Sequence, residues 1–95
     1  MLIAYDDLKR QITLNERGID FEDAALVFSG NSPIYEIEDD RIDYGEVRWQ
    51  TMGKLHDDLM MIVWTQRGDT RRIISMRKCN DREKEIYNRK VGGSG

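Results

Sequence analysis

The stretch Leu59-Met60-Met61-Ile62-Val63-Trp64-Thr65, followed by Gln66-Arg67-Gly68-Asp69 and then Thr70-Arg71-Arg72-Ile73-Ile74-Ser75-Met76-Arg77, decides the fold. Its first run is almost wholly apolar and strand-length, as expected of a central strand covered on both faces. Arg67-Gly68-Asp69 reads as a hairpin turn with glycine where a positive φ is expected, and Thr70 to Arg77 as the returning strand. Upstream, His56-Asp57-Asp58 is a second turn. Val47-Arg48-Trp49-Gln50-Thr51-Met52 alternates with the period of a strand, and Ile34-Tyr35-Glu36-Ile37 is a shorter strand before it. These runs predict a four-stranded antiparallel meander.

Helical signals flank the meander. Residues 2–5 form a short apolar strand, and Asp6 or Asp7 caps the next helix, since a carboxylate there accepts from free first-turn N–H groups. Leu8 and Ile12 share one face of that helix, and Gly18 supplies a left-handed stop. Asp20 caps a second helix whose apolar positions Phe21, Ala24, Ala25 and Phe28 follow the helical period. Ser29-Gly30-Asn31-Ser32-Pro33 is a loop by composition. Asn80 with Glu83 makes a capping box, so a last helix is expected from about Asp81 to Lys90, with Arg89 and Lys90 suiting its C-terminal dipole. Strand, two helices, meander and terminal helix make an α+β two-layer domain with helices packed on one face of an antiparallel sheet. One domain is expected over residues 1–91, and 92–95 (Gly-Gly-Ser-Gly) read as a flexible tail.

Composition narrows the function classes. The chain has 95 residues, 39% hydrophobic and 35% charged, enough apolar content to exclude wholesale disorder. No apolar run approaches a membrane span, the N-terminus lacks a signal-peptide pattern, and the single Cys79 excludes an internal disulfide or a cysteine-built zinc site. A reducing, cytoplasmic setting fits. The net charge of −3 argues against nucleic-acid binding through bulk charge. Its distribution is uneven: residues 36–46 carry Glu36, Glu38, Asp39, Asp40, Asp43 and Glu46 against Arg41, and residues 67–78 carry Arg67, Arg71, Arg72, Arg77 and Lys78 against Asp69.

The run Arg67-Gly68-Asp69-Thr70-Arg71-Arg72-Ile73-Ile74-Ser75-Met76-Arg77-Lys78, with Asn80-Asp81-Arg82-Glu83 and Tyr87, resembles the signature of the BrnT toxin family. Asp43-Tyr44-Gly45-Glu46-Val47-Arg48, Thr51-Met52-Gly53 and Gly18-Ile19-Asp20-Phe21-Glu22-Asp23-Ala24 extend the resemblance over about residues 3–88. It implies a RelE-like fold and a ribonuclease toxin of a type II toxin–antitoxin pair. It also implies a BrnA-type ribbon-helix-helix antitoxin, a 2:2 heterotetramer, and contact with DNA only through that antitoxin. The chain departs from the family pattern at Glu16-Arg17, where many members carry Lys-His, and at Asp57-Asp58, where many carry Gly-Arg. Lost cationic charge at these places gives an alternative reading, a non-catalytic relative that keeps antitoxin binding.

RNA cleavage without a metal uses the substrate's own 2′-OH, and the protein must align it, stabilise charge on the phosphate and manage protons. No pair of histidines is available, because His56 is the only one. Arginines can serve, since the guanidinium fork matches two phosphate oxygens and stays charged. The catalytic candidates are Arg48, Arg77, Arg72 and Glu46, with Glu46 as proton acceptor or as the partner orienting Arg48. The RNA-binding candidates are Arg67, Arg71, Lys78 and Tyr87. Strict alternation places Arg77 on the face of Arg71 and not of Arg72; a bulge would change this, so which arginines converge is left open. His56 reads as an exposed turn residue and Cys79 as a small buried hydrophobe. Asp39, Asp40 and Asp43 lack ordered ligand spacing, so neither metal nor other cofactor is expected.

Overall fold

The structure, a computed structural model, describes residues 2–92; of the expected tail, residues 93–95 lie outside the described residues. In chain order it forms β1 (Leu2–Tyr5), α1 (Asp7–Arg17), a 3-10 turn (Phe21–Asp23), α2 (Ala24–Ser29) and β2 (Tyr35–Glu38). Then come β3 (Arg48–Leu55), β4 (Asp58–Arg67), β5 (Thr70–Lys78) and α3 (Asp81–Val91). The class is α+β. The sheet has five strands rather than four and is mixed, in the order β1-β5-β4-β3-β2. β2 to β5 pair antiparallel, while β1 lies parallel to β5, pairing Ala4 with Arg72 and Tyr5 with Ile73. Sequence alternation alone could not enrol β1, because four residues carry too little pattern to name a neighbour.

Alternation along β4 sorts the core into two layers, so helices cover both faces of the sheet and not one face as expected. Met60, Ile62 and Trp64 face α2 and the 3-10 turn, packing with Phe21, Ala24, Val27, Ile73 and Met76. Leu59 and Met61 face the other way, under α3, with Met52, Cys79 and Tyr87. In the first layer the Trp64 indole donates to Thr51 Oγ1 at 2.7 Å and Thr51 donates to Glu36 at 2.7 Å, so a buried indole N–H and hydroxyl are both satisfied.

Local signals set the helix ends. Asp6 accepts from the Lys9 N–H, and Gly18 ends α1 at φ 68°. Asn80 and Glu83 form the reciprocal capping box of α3. The helix faces differ from expectation. α1 buries no residue; Leu8 and Ile12 are 68% and 45% exposed. It is fixed instead by the Arg10 fork on Asp20, at 2.7 and 2.9 Å, and by Arg17 donating to the Met76 carbonyl at 3.4 Å. The second helix opens as a 3-10 turn, which rotates the turns after it. Val27 therefore joins Phe21 and Ala24 in the core, and Ala25 is exposed.

Candidate functional site

The helix α3 covers only one end of its sheet face. The open end is defined by register. Arg48 pairs with Thr65 and Thr65 with Arg72, so Arg48, Thr65, Arg72 and Ala4 lie in one row across four strands. Adjacent strands are about 4.8 Å apart, so the Arg48 and Arg72 backbones are separated by roughly 10 Å. Arg67, opposite Thr70, lies one step further along the same face.

The deciding feature is a bulge. Val63 pairs with Ser75, yet Trp64 pairs with Ile73, which leaves Ile74 as the extra residue of β5. Without it Arg72 would point to the α2 side. The extra residue changes the parity of β5, bringing Arg72 onto the face of Arg77 and Ser75 and sending Arg71 to the opposite face. The pairing expected from strict alternation is thereby reversed: Arg72 and Arg77 share a face, and Arg71 does not.

Each cation has a distinct setting. Arg48 donates through Nε to Glu46 at 3.2 Å and lies over the Tyr44 ring, with Cζ 3.9 Å from the centroid. The other Glu46 oxygen accepts from Arg67 Nη2 at 3.2 Å, so one carboxylate bridges two arginines. Arg77 forks onto Glu83 with two bonds of 2.8 Å. Glu83 also accepts from the Asn80 N–H, and these donors hold its carboxyl below the usual carboxylate range, with the Arg77 fork the largest cause. Arg72 is half-buried and, among the described residues, has no ion-pair or hydrogen-bond partner for its guanidinium. It is the cation most ready to receive an anion.

The acidic arm proves to be part of this site. The side chain of Asp39 is wholly buried and accepts from Arg41 Nε and Nη2 at 2.7 and 2.8 Å and from the Tyr44 hydroxyl at 3.3 Å. Arg41 holds the Asp39 carboxyl down to about 2. The Asp39 N–H donates to the Arg48 carbonyl at 2.7 Å, which ties the arm to the start of β3. Residues 39–46 are therefore a folded strap that delivers Tyr44 and Glu46 to Arg48. Sequence reasoning missed Tyr44 and Arg41 as site residues; an aromatic two positions before Glu46 within Asp-Tyr-Gly-Glu was the signal that could have found the first.

Other candidates lie elsewhere. Tyr87 is buried in the core beneath α3, and its hydroxyl donates to the Pro33 carbonyl at 2.6 Å, so neither ring nor hydroxyl reaches the open face. Lys78 is exposed and lies 3.5 Å from Asp58 at the far end of β5. His56 occupies the β3–β4 turn with φ 56°, at the opposite end of β3 from Arg48. Burial raises the Cys79 thiol to about 11, as befits a core residue. Among the described residues no three His, Cys, Asp or Glu side chains gather to hold a metal ion, and no helix is long and apolar enough to cross a membrane.

No curated protein matches the chain in sequence. The model of one protein family does match, over residues 5–83, and is described as the ribonuclease toxin BrnT of a type II toxin–antitoxin system. That span runs from β1 to the first turn of α3 and takes in Glu46, Arg48, Arg67, Arg72 and Arg77 with the bulge between the last two, so the chain belongs to the BrnT family of type II ribonuclease toxins.

Proposed function

We propose that this chain is an endoribonuclease whose active face is the open end of the sheet, with Arg48, Arg67 and Arg72 around the scissile phosphate and Arg77 further along the same face beside α3. The observation that carries the reading is the bulge at Ile74, which brings Arg72 onto the face that Arg48, Arg67 and Arg77 share. Arg72 takes the phosphate first, since no internal carboxylate competes for it. Arg48, held flat on Tyr44, presents its remaining N–H groups to the same phosphate. As phosphate oxygens draw Arg67 away from Glu46, that carboxylate is freed to accept the 2′-OH proton. The 2′-oxygen then attacks phosphorus, the bond to the 5′-oxygen breaks, and the departing oxygen takes a proton from solvent. The products are a 2′,3′-cyclic phosphate and a 5′-hydroxyl, and no step requires a metal. Removing one such charge-stabilising donor costs roughly 10²–10³ in rate.

In this reading the arrangement is RelE-like and the protein works in the cytoplasm. The protein antitoxin that a type II family implies is of the BrnA kind, with a ribbon-helix-helix domain. Such domains dimerise, which gives a 2:2 complex that reaches DNA through the antitoxin. A second reading, a relative that binds antitoxin without cleaving, is favoured by the Glu83 fork on Arg77 and the Glu46 bridge, which set two carboxylates against three of the four arginines. Expression alone and with the neighbouring gene separates the two. Growth arrest that the neighbour relieves and Arg72→Gln abolishes supports the nuclease; unimpaired growth at high protein levels favours the binding module.

A further inference from the structure

The bulge that brings Arg72 to the open face leaves Arg71 on the other side of the sheet, outside the cleavage chemistry. There its guanidinium lies in an aromatic notch, with Cζ 3.9 Å from the Phe28 centroid and 4.9 Å from that of Trp64. The two rings meet edge to face at 5.6 Å. Beside it opens a cavity of about 270 Å³ lined by Ile3, Ala25, Phe28, Ser29 and Arg71. The Ser29 hydroxyl is already committed, donating to the Ala25 carbonyl at 2.7 Å. Arg71 makes no ion pair among the described residues, and its buried Nε has no acceptor. A buried donor without a partner is uncommon in native proteins.

We propose that this cavity is a docking pocket for a carboxylate side chain borne on an apolar segment of a partner protein. The lining dictates the chemistry. Ile3, Ala25 and Phe28 offer an aliphatic and aromatic wall that suits peptide side chains, and the one uncommitted donor group is a guanidinium. Aromatic walls exclude water, which strengthens a charge-assisted pair, and an Arg–carboxylate fork satisfies two N–H groups at once. The pocket lies on the face opposite the arginine row, so a partner held here leaves the cleavage face to be closed by a separate segment. The inference rests on the protein partner that the type II family implies and not on cleavage, so its test does not read activity.

The Arg71 Nε–H resonance of the full chain, labelled with nitrogen-15, reports the pocket directly. The probes are the blocked peptides acetyl-Leu-Glu-Leu-amide and acetyl-Leu-Gln-Leu-amide, and inorganic phosphate. The proposal expects a saturable shift of the Arg71 Nε–H and Trp64 indole signals with the glutamate peptide, at least tenfold weaker binding of the glutamine peptide, and no matching shift with phosphate. Arg71→Gln, with its remaining amide spectrum intact, loses the response. Equal response to both peptides means apolar adhesion, a stronger response to phosphate means a nucleic-acid contact, and no saturable shift means no pocket; each overturns the proposal.

Discussion

Replacing Asp39 by Asn tests whether the acidic arm is a structural strap or a solvated loop. The Asp39 carboxyl is held near 2 against an ordinary 3.8 by the Arg41 fork, a difference worth at most about 2.4 kcal/mol at neutral pH. Arg41 is 64% exposed, so solvent screening reduces that to about 1 kcal/mol. The asparagine amide then turns a donor toward one arm of the Arg41 fork inside a buried site, adding about 1–2 kcal/mol for a mispaired polar group. A total near 2–3 kcal/mol lowers the melting temperature by on the order of 10 °C in a domain this size. The sign with pH is fixed. A depressed carboxylate contributes its full stability above 3.8 and loses it as pH falls through 2. The gap between parent and variant is therefore widest at pH 7 and narrows by about 1 kcal/mol between pH 4 and 2. Thermal melts followed by circular dichroism across that range measure it. Equal melting temperatures at pH 7, or a gap that does not narrow on acidification, would refute the strap.

Tyr44→Leu, which removes the ring under Arg48, should leave the fold intact and weaken RNA cleavage about tenfold, read as initial rates on a defined oligonucleotide; an unchanged rate shows the stack to be incidental. Gly53→Ala should destabilise by about 1–3 kcal/mol in urea melts, because a Cβ there lies 2.6 Å from Val27 Cγ1 and 2.9 Å from Ile34 Cγ2. Cys79, with its thiol raised to about 11, should resist alkylation at pH 8 until the protein unfolds; labelling of the native protein at the rate of a free thiol contradicts its placement.

The elements were legible in the sequence where a signal was local. Gly18, Asn80 with Glu83, and the two hairpin turns act through neighbouring backbone groups, and the helix and strand ends fall beside them. The features that were not legible depended on parity and packing. A single extra residue at Ile74 reverses which arginines share a face, and nothing in Ile73-Ile74-Ser75 marks it, since apolar residues suit either side of a covered strand. Leu8 and Ile12 have helical spacing but no core to meet, because α1 is held through its polar side chains, Arg10 on Asp20 and Arg17 on the Met76 carbonyl, and buries no residue. The partners of Arg77 and Tyr87 were hidden for a related reason. Glu83 serves both as cap and as the Arg77 counter-ion, and the Tyr87 hydroxyl finds Pro33, a residue 54 positions away in sequence.

The most direct test of the account is cleavage of a defined single-stranded RNA by the purified chain in EDTA, with the fragment ends identified by mass spectrometry. The account predicts fragments ending in 2′,3′-cyclic phosphate and 5′-hydroxyl, produced without divalent ions and reduced roughly 10²-fold or more by Arg72→Gln in a protein that melts with the parent. Intact RNA, cleavage that appears only when magnesium or manganese is restored, or a folded Arg72→Gln as active as the parent would contradict it.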